Sequence, residues 1–254
     1  MSKVEGKVAV ITGATGGIGF AVAKRLGKDG YTVVLNGIDD AAGAEKLAEL
    51  AAEGITAEYY GFDMTDGDAV AANIAKIGEK HGKIDVLVNN TGGIGVRARF
   101  EEMTNEEYKF VMALNLDSVF YASRAAIPFL KKGTNASIIN YTSNAAWNGA
   151  GPGAGIYAVS KGGVQSITRA LAKDLAEYGI RVNAVSPGTI DTPFHAQIKA
   201  TKPEVFASWK SSVLLGRLGE PEEVAGVVAF LASADASFIT AETIQIGGGQ
   251  ALGI

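Results

Sequence analysis

The sequence predicts an α/β protein with one doubly wound parallel sheet and helices on both of its faces. Five short apolar runs alternate with longer segments of helical period. The runs are nearly continuous rather than alternating, as expected of strands that helices cover on both sides. Parallel neighbours need a crossover connection, and the intervening helices supply it.

The elements follow in order along the chain. Strands are predicted at 8–11, 32–35, 86–88, 137–139 and 182–185, and helices at 18–28, 41–52, 68–80, 105–130 and 159–176. Gly54, Gly82 and Gly179 each end a helical segment, where a left-handed residue is favoured. Glu220-Pro221 opens a late helix, with proline in its first turn.

Composition narrows the class of protein. The 254 residues carry 23 basic and 27 acidic side chains, a net charge of −4, which argues against a nucleic-acid or anionic-membrane surface. The most apolar stretch, 224–232, is far shorter than the roughly 20 residues that span a bilayer. There is no cysteine, which is compatible with the cytoplasm, where we expect the protein.

Neither a linker nor a repeat divides the chain, so we predict one domain over 1–254.

A glycine-rich turn follows the first predicted strand. It reads Thr-Gly-Ala-Thr-Gly-Gly-Ile-Gly over 12–19 and leads directly into a helix. Glycines at a strand–helix junction expose backbone N–H groups to a phosphate, although such turns also serve close helix–strand packing. The strand before and the helix after favour a dinucleotide.

The end of the second strand indicates which dinucleotide. An acid there binds the adenine-ribose hydroxyls, whereas an arginine accepts a 2′-phosphate. The segment 35–40 contains Asp39 and Asp40 and no basic residue. We therefore favour NAD(H) over NADP(H), which is not excluded, because both acids could instead cap the next helix.

Four polar residues suggest acid–base chemistry. Tyr157 and Lys161 lie four apart and so share a helix face, where an ammonium favours the phenolate. Ser143 follows a strand at the carboxyl edge of the sheet, where such folds bind ligands. Asn115 lies among apolar neighbours, where an amide needs a partner. Each has an ordinary structural explanation alone; together with the glycine turn they indicate an active site. With two histidines and no cysteine, we expect no metal site.

These residues resemble the short-chain dehydrogenase/reductase family over essentially the whole chain. The turn at 12–19 resembles the family's T-G-x-x-x-G-I-G motif, 187–192 resembles its P-G-x-x-x-T segment, and 89–92 departs from its N-N-A-G motif only at Thr91. Asn115, Ser143, Tyr157 and Lys161 fall on the four catalytic positions. The resemblance implies a single-domain Rossmann-type fold and an NAD(P)(H)-dependent oxidoreductase that interconverts alcohols and carbonyls.

The resemblance also implies a role for each site residue. Tyr157 is the general acid or base, Lys161 lowers its pKa and binds the nicotinamide ribose, Ser143 binds the substrate oxygen, and Asn115 holds a water in a proton relay. The positions implied to bind the cofactor are Gly13, Thr15, Gly17, Ile18, Gly19, Asn36, Gly37, Asp63, Asn90, Gly92, Tyr157, Lys161, Pro187, Gly188, Ile190 and Thr192.

Substrate specificity is expected from three loops, 93–99, 145–155 and 194–209, and we predict a lid over 194–210. The candidate substrate residues are Arg97, Arg99, Ala145 and His195. The two arginines and the segment 194–202 offer cations and hydrogen-bond donors, which favour a small anionic, polyhydroxylated substrate unless they are only solvated surface charges. The loops resemble those of reductases of sugar-derived α-keto acids such as 4-deoxy-L-erythro-5-hexoseulose uronate. The alternatives are a 3-oxoacyl thioester reductase, a 3-hydroxybutyrate-type dehydrogenase, and a non-catalytic nucleotide-binding sensor or scaffold.

The resemblance also implies a homotetramer. The helical segments 105–130 and 159–176 would form its interfaces, although from sequence alone they could equally be ordinary core.

Overall fold

A single sheet of seven parallel strands organises the molecule. The computed structural model describes residues 4, 6–192, 196–201 and 203–250, with backbone alone for 196–198. The strands are β1 (Val8–Ile11), β2 (Thr32–Gly37), β3 (Ala57–Gly61), β4 (Val86–Asn89), β5 (Ser137–Tyr141), β6 (Arg181–Pro187) and β7 (Thr243–Ile246). Their order across the sheet is β3-β2-β1-β4-β5-β6-β7.

Helices connect the strands. They are α1 (Gly17–Lys28), α2 (Asp40–Ala52), α3 (Gly67–His81), α4 (Asn105–Met112), α5 (Ser118–Leu130), α6 (Ala145–Asn148), α7 (Gly155–Leu175), α8 (Ala196–Thr201), α9 (Pro203–Ser211) and α10 (Pro221–Ala232). In the described part of the chain, no helix is both long and apolar enough to cross a membrane.

The core consists of two layers, one on each face of the sheet. Alternate strand residues face opposite sides, so that Ile11 packs with α1 and α10 whereas Val10 packs with α3 and α5. Both residues are fully buried, as are most residues of β1, β4, β5 and β6. Helices on both sides thus explain the continuous apolar runs in the sequence.

The strand order reverses at β1, which pairs with β2 on one side and β4 on the other. The loops that follow β1 and β4 therefore leave the sheet in opposite directions and open a crevice at its carboxyl edge. The structure thereby confirms the predicted doubly wound sheet and shows where a ligand has room.

Three details differ from the sequence-based boundaries. The edge strands β3 and β7 were not among the five apolar runs, because only partial cover on their outer sides lets polar residues occur in them. The predicted helix 105–130 is interrupted by a π-helical turn, Ala113–Asp117. The helix predicted to begin at residue 159 begins at Gly155, which places both Tyr157 and Lys161 within it.

Candidate active site

A cleft of about 920 Å³ opens at the carboxyl edge of the sheet, along the crevice beside β1. It brings together sixteen of the residues predicted from sequence: Gly13, Thr15, Gly17, Ile18, Gly19, Asn90, Gly92, Arg97, Ser143, Ala145, Tyr157, Lys161, Pro187, Gly188, Ile190 and Thr192. Asn36, Gly37, Asp63, Arg99 and Asn115 are not among its lining residues. His195 lies outside the described residues.

The glycine turn forms one end of the cleft. Gly13 and Gly17 have φ of +61° and +52°, which glycine adopts without steric cost. Gly16 precedes α1, and no side chain caps the N-terminus of that helix. A Cβ on Gly17 would project toward Thr192, across the space between the turn and the segment after β6. Uncapped N–H groups and absent side chains fit a pyrophosphate, so the turn suits a dinucleotide.

Two amides hold this turn against the strands beneath it. Asn36 at the end of β2 accepts a hydrogen bond from the Gly13 N–H at 3.2 Å. Asn90 after β4 donates to the carbonyl oxygens of Thr12 and Gly13, both at 2.9 Å. Asn36 therefore acts behind the turn, where it fixes the turn's conformation.

The end of β2 lies beside the turn, and the Cβ of an alanine at Gly37 would be 2.6 Å from the Thr15 Cγ2. Asp39 caps α2 by accepting the N–H groups of Ala41 and Ala42, as one of the two interpretations of this acid expected. Its carboxylate remains exposed, so capping does not remove its negative charge from this end of the site. Asp63 accepts hydrogen bonds from the Thr65 N–H and hydroxyl, which is a local role.

Ser143 and Tyr157 are joined by a side-chain hydrogen bond in the middle of the cleft. Burial raises the pKa of Tyr157 above its ordinary value, and the bond from Ser143 opposes that rise. Ser143 Oγ also accepts the Ala145 N–H at 3.1 Å, at the start of α6. The serine thus both shapes the local turn and stabilises the phenolate.

Lys161 lies one turn after Tyr157 on α7, with its Nζ 5.9 Å from the centre of the tyrosine ring. Its ammonium is almost fully buried and donates to the Tyr141 carbonyl at 2.9 Å. Burial lowers the pKa of Lys161 to about 8. In the chain alone, burial is thus the largest influence on the pKa of Lys161 and on the pKa of Tyr157. The pKa of Tyr157 is raised rather than lowered.

Asn115 lies in the π-helical turn, fully buried behind the cleft. Its Nδ2 donates to the carbonyl oxygens of Val111 and Gly93, and its Oδ1 accepts the Gly93 N–H. These bonds give a partner to both polar atoms of the side-chain amide. This explains how an amide is accommodated among apolar residues.

The two predicted arginines have different positions. Arg97 lines the cleft, and its Nη1 lies 3.5 Å from the Pro152 carbonyl oxygen, across the gap between the loops 93–99 and 145–155. Both arginines are exposed, but Arg99 lies outside the lining. Among the described lining residues, the charged side chains are those of Arg97 and Lys161, both cationic.

Several polar residues that line the cleft were not predicted from the sequence, chiefly Asn144, Ser212 and Gln250. Asn144 directly follows Ser143 and could have been found by its position. Gln250 follows three glycines near the C-terminus and gave no signal in the sequence. Trp209 also lines the cleft and had been included only as the end of a specificity segment.

Comparisons with known proteins place this geometry in a family. A family model described as enoyl-(acyl carrier protein) reductase matches residues 13–251. A 3-oxoacyl-(acyl-carrier-protein) reductase from Thermotoga maritima is 40% identical over 97% of this chain and 98% of its own length. A solved short-chain dehydrogenase/reductase of Brucella melitensis, described as glucose/ribitol dehydrogenase, is 37% identical with a TM-score of 0.88 over 98% of both chains. The chain belongs to the short-chain dehydrogenase/reductase family.

Membership settles the class of reaction. A cyclopentanol dehydrogenase from Comamonas, 34% identical over 98% of both chains, shows that the relatives include alcohol dehydrogenases as well as ketone reductases. This short-chain dehydrogenase/reductase is accordingly an NAD(P)(H)-dependent oxidoreductase that acts on CH–OH and C=O groups of small molecules. The predicted family, Rossmann-type fold and enzyme class are confirmed. The described residues contain no cluster of three or more His, Asp or Glu placed to hold a metal.

Proposed function

We propose that this enzyme reduces a carbonyl group of a small anionic substrate, of the sugar-derived α-keto acid class, with NADH. The proposal rests on the charge of the cleft. Arg97 lines the same cleft as the hydrogen-bonded pair Ser143 and Tyr157. The described lining residues of the cleft include no acid. A guanidinium binds a carboxylate with two parallel hydrogen bonds, which fixes orientation as well as affinity.

The proposed mechanism assigns proton transfer to Tyr157. In reduction its hydroxyl gives a proton to the carbonyl oxygen, and in oxidation its phenolate removes one. Ser143 donates to the same oxygen and stabilises the charge that develops there. When bound, the nicotinamide supplies or accepts the hydride. Lys161 binds the nicotinamide ribose, and Asn115 holds a water that connects the lysine to solvent.

The preference for NAD(H) follows from charge at the end of β2. The turns 12–19 and 35–40 contain no lysine or arginine. Asp39 and Asp40 are exposed there and would repel a 2′-phosphate.

We propose a cytoplasmic homotetramer with a substrate lid over 194–210, of which residues 194, 195 and 202 lie outside the described residues. Phe110, Phe120 and Val159 are 46%, 44% and 53% exposed on α4, α5 and α7, within the helices expected at the interfaces. Their exposure on these helices supports an interface there. Size-exclusion chromatography with light scattering tests this assembly, and a monomer at micromolar concentration would refute it.

A second candidate function is reduction of a 3-oxoacyl thioester. The 40% identity to the Thermotoga maritima reductase favours it, and the same Ser143 and Tyr157 would carry it out.

The deciding experiment follows oxidation of NADH and NADPH at 340 nm against a panel of carbonyl compounds. The panel contains 4-deoxy-L-erythro-5-hexoseulose uronate, other sugar keto acids, acetoacetate and a 3-oxoacyl thioester. Selective turnover of keto acids supports the proposal, whereas selective turnover of the thioester replaces the substrate and keeps the mechanism. Tight NADH binding with no turnover would instead favour a non-catalytic nucleotide sensor.

A further inference from the structure

Gln250 forms a hydrogen-bonded bridge across one side of the cleft. Its Oε1 accepts the Thr189 N–H at 2.9 Å, and its Nε2 donates to Thr189 Oγ1 at 3.0 Å and to Ser212 Oγ at 3.1 Å. Thr189 belongs to the segment after β6, and Ser212 follows the last residue of α9. All three residues line the cleft. One carboxamide therefore connects two walls that are 23 residues apart in the sequence.

The backbone is shaped to admit this carboxamide. A Cβ on Gly188 would lie 2.7 Å from Gln250 Oε1 and 2.8 Å from Gly247 Cα, so both contacts require a glycine at position 188. The turn that carries Gln250 is closed by its own N–H, which donates to the Gly247 carbonyl at 2.9 Å. The Leu215 N–H donates to the Gly248 carbonyl at 3.2 Å and ties the same turn to the chain beyond α9.

The chemistry of Ser212 explains why this position needs an amide. Its hydroxyl donates its proton to the Trp209 carbonyl at 2.7 Å, so toward Gln250 it can only accept. The bridge thus needs an acceptor for the Thr189 N–H and a donor for Ser212 in one side chain. Glutamine offers both, whereas leucine offers neither.

Ser212 in turn fixes the end of α9, where Trp209 also lines the cleft. We propose that Gln250 is a positioning residue that holds the Trp209 end of α9 against the segment after β6 and so sets the width of the substrate side of the cleft. The effect on substrate affinity rests on the proposed function, but the effect on Trp209 does not.

The test compares Gln250→Leu, Ser212→Ala and the double variant, all in a Trp147→Phe background. The chain has two tryptophans, so Trp209 is then the only fluorescent reporter of its kind. Gln245→Leu, an exposed glutamine on β7, is the matched control. Acrylamide quenching of Trp209 is measured first, followed by the Kd for NADH and by KM and kcat for whichever carbonyl compound the panel identifies.

We expect each single variant to increase quenching of Trp209 and to raise KM by about 3- to 10-fold, the range for one or two neutral hydrogen bonds, with kcat changed less than about twofold. The Kd for NADH should not change in Ser212→Ala. The double variant should match Gln250→Leu, because both changes break the same bridge.

Additive effects in the double variant would overturn the proposal, as would unchanged quenching in both single variants or equal effects in Gln245→Leu. Altered quenching with no turnover of any panel compound would leave the bridge established and reject only the proposed substrate.

Discussion

Asn115 Oδ1 and Lys161 Nζ approach the same face of Gly92, at 2.7 and 2.8 Å from the point where a Cβ would lie. One atom is an acceptor and the other a donor, and neither could stay in place beside a methyl group. Because position 92 has no side chain, the Asn115 amide behind the cleft and the Lys161 ammonium within it can both lie against the same backbone.

Gly92→Ala should consequently disrupt catalysis more than stability. The added methyl displaces Lys161 from the Tyr141 carbonyl, and we expect kcat to fall at least about tenfold, a part of what acid–base catalysis supplies. Gly162→Ala is the control, because nothing lies within 4 Å of its Cβ position next to Lys161 on the same helix. Steady-state rates close to wild type in Gly92→Ala would show that the close packing has no catalytic importance.

The bond between Ser143 and Tyr157 predicts a change in pH dependence. The serine lowers the pKa of the phenol, so Ser143→Ala should raise it further. Alcohol oxidation needs the phenolate, and its rate in the variant should therefore rise only at higher pH, with kcat lowered by about 10² to 10³. A pH profile of Ser143→Ala that coincides with wild type would contradict the assignment.

The Tyr157→Phe variant should lose the proton donor. We expect its kcat to fall by about 10² to 10⁴ and its NADH binding to be kept.

Burial of Lys161 predicts an unusual dependence of stability on pH. Its pKa is about 8 in the folded protein and near 10.5 when unfolded, so between these values the unfolded chain binds more protons. This group therefore destabilises the fold fully below pH 8, and the penalty is relieved as the pH rises toward 10.5. Relative to Lys161→Met, wild type should gain on the order of 3 kcal/mol in unfolding free energy between pH 7 and 11. Urea denaturation at both pH values measures the difference, and a constant difference would rule out the lowered pKa.

Arg97 and Arg99 form a natural pair of variants on one loop. Arg97→Gln should raise KM for an α-keto acid by about 10- to 100-fold, as expected for loss of a charge-assisted hydrogen bond, without affecting a neutral ketone. Arg99→Gln should leave both substrates unchanged, because Arg99 lies outside the cleft. Equal effects of the two substitutions would indicate long-range attraction instead of a carboxylate site.

Asp39 has two roles that different substitutions separate. Asp39→Asn keeps an acceptor for the Ala41 and Ala42 N–H groups and removes the charge, so it should shift the ratio of kcat/KM toward NADPH by severalfold. Asp39→Ala should also destabilise α2 by about 1 kcal/mol. If Asp39→Asn leaves cofactor preference unchanged, the carboxylate acts only as a helix cap.

The sequence predicted the parts of this molecule whose signal is local. Buried strands such as β1 are continuous apolar runs because both faces are covered, and the glycine turn and the Tyr157–Lys161 spacing are short patterns. The edge strands were missed because their exposed positions accept polar residues. Nothing local distinguishes Arg97 from Arg99, since only the fold turns one toward the cleft.

The bridge made by Gln250 could not be predicted for a related reason. Its partners lie 38 and 61 residues earlier in the chain, and no pattern in the sequence states that they meet. The π turn at Asn115 was likewise hidden, because its five residues look helical and differ only in which carbonyl each N–H reaches.

The helix that begins at the glycine turn packs against a helix from the opposite end of the chain. Val22 and Leu26 of α1 share a core with Val224 and Val228 of α10, and the Tyr31 hydroxyl donates to the Ala232 carbonyl at 3.3 Å. During synthesis the first strand and its turn leave the ribosome long before α10 does. A nascent chain that stops short of α10 would therefore have one side of α1 uncovered and, although it carries the whole turn, would not retain a dinucleotide.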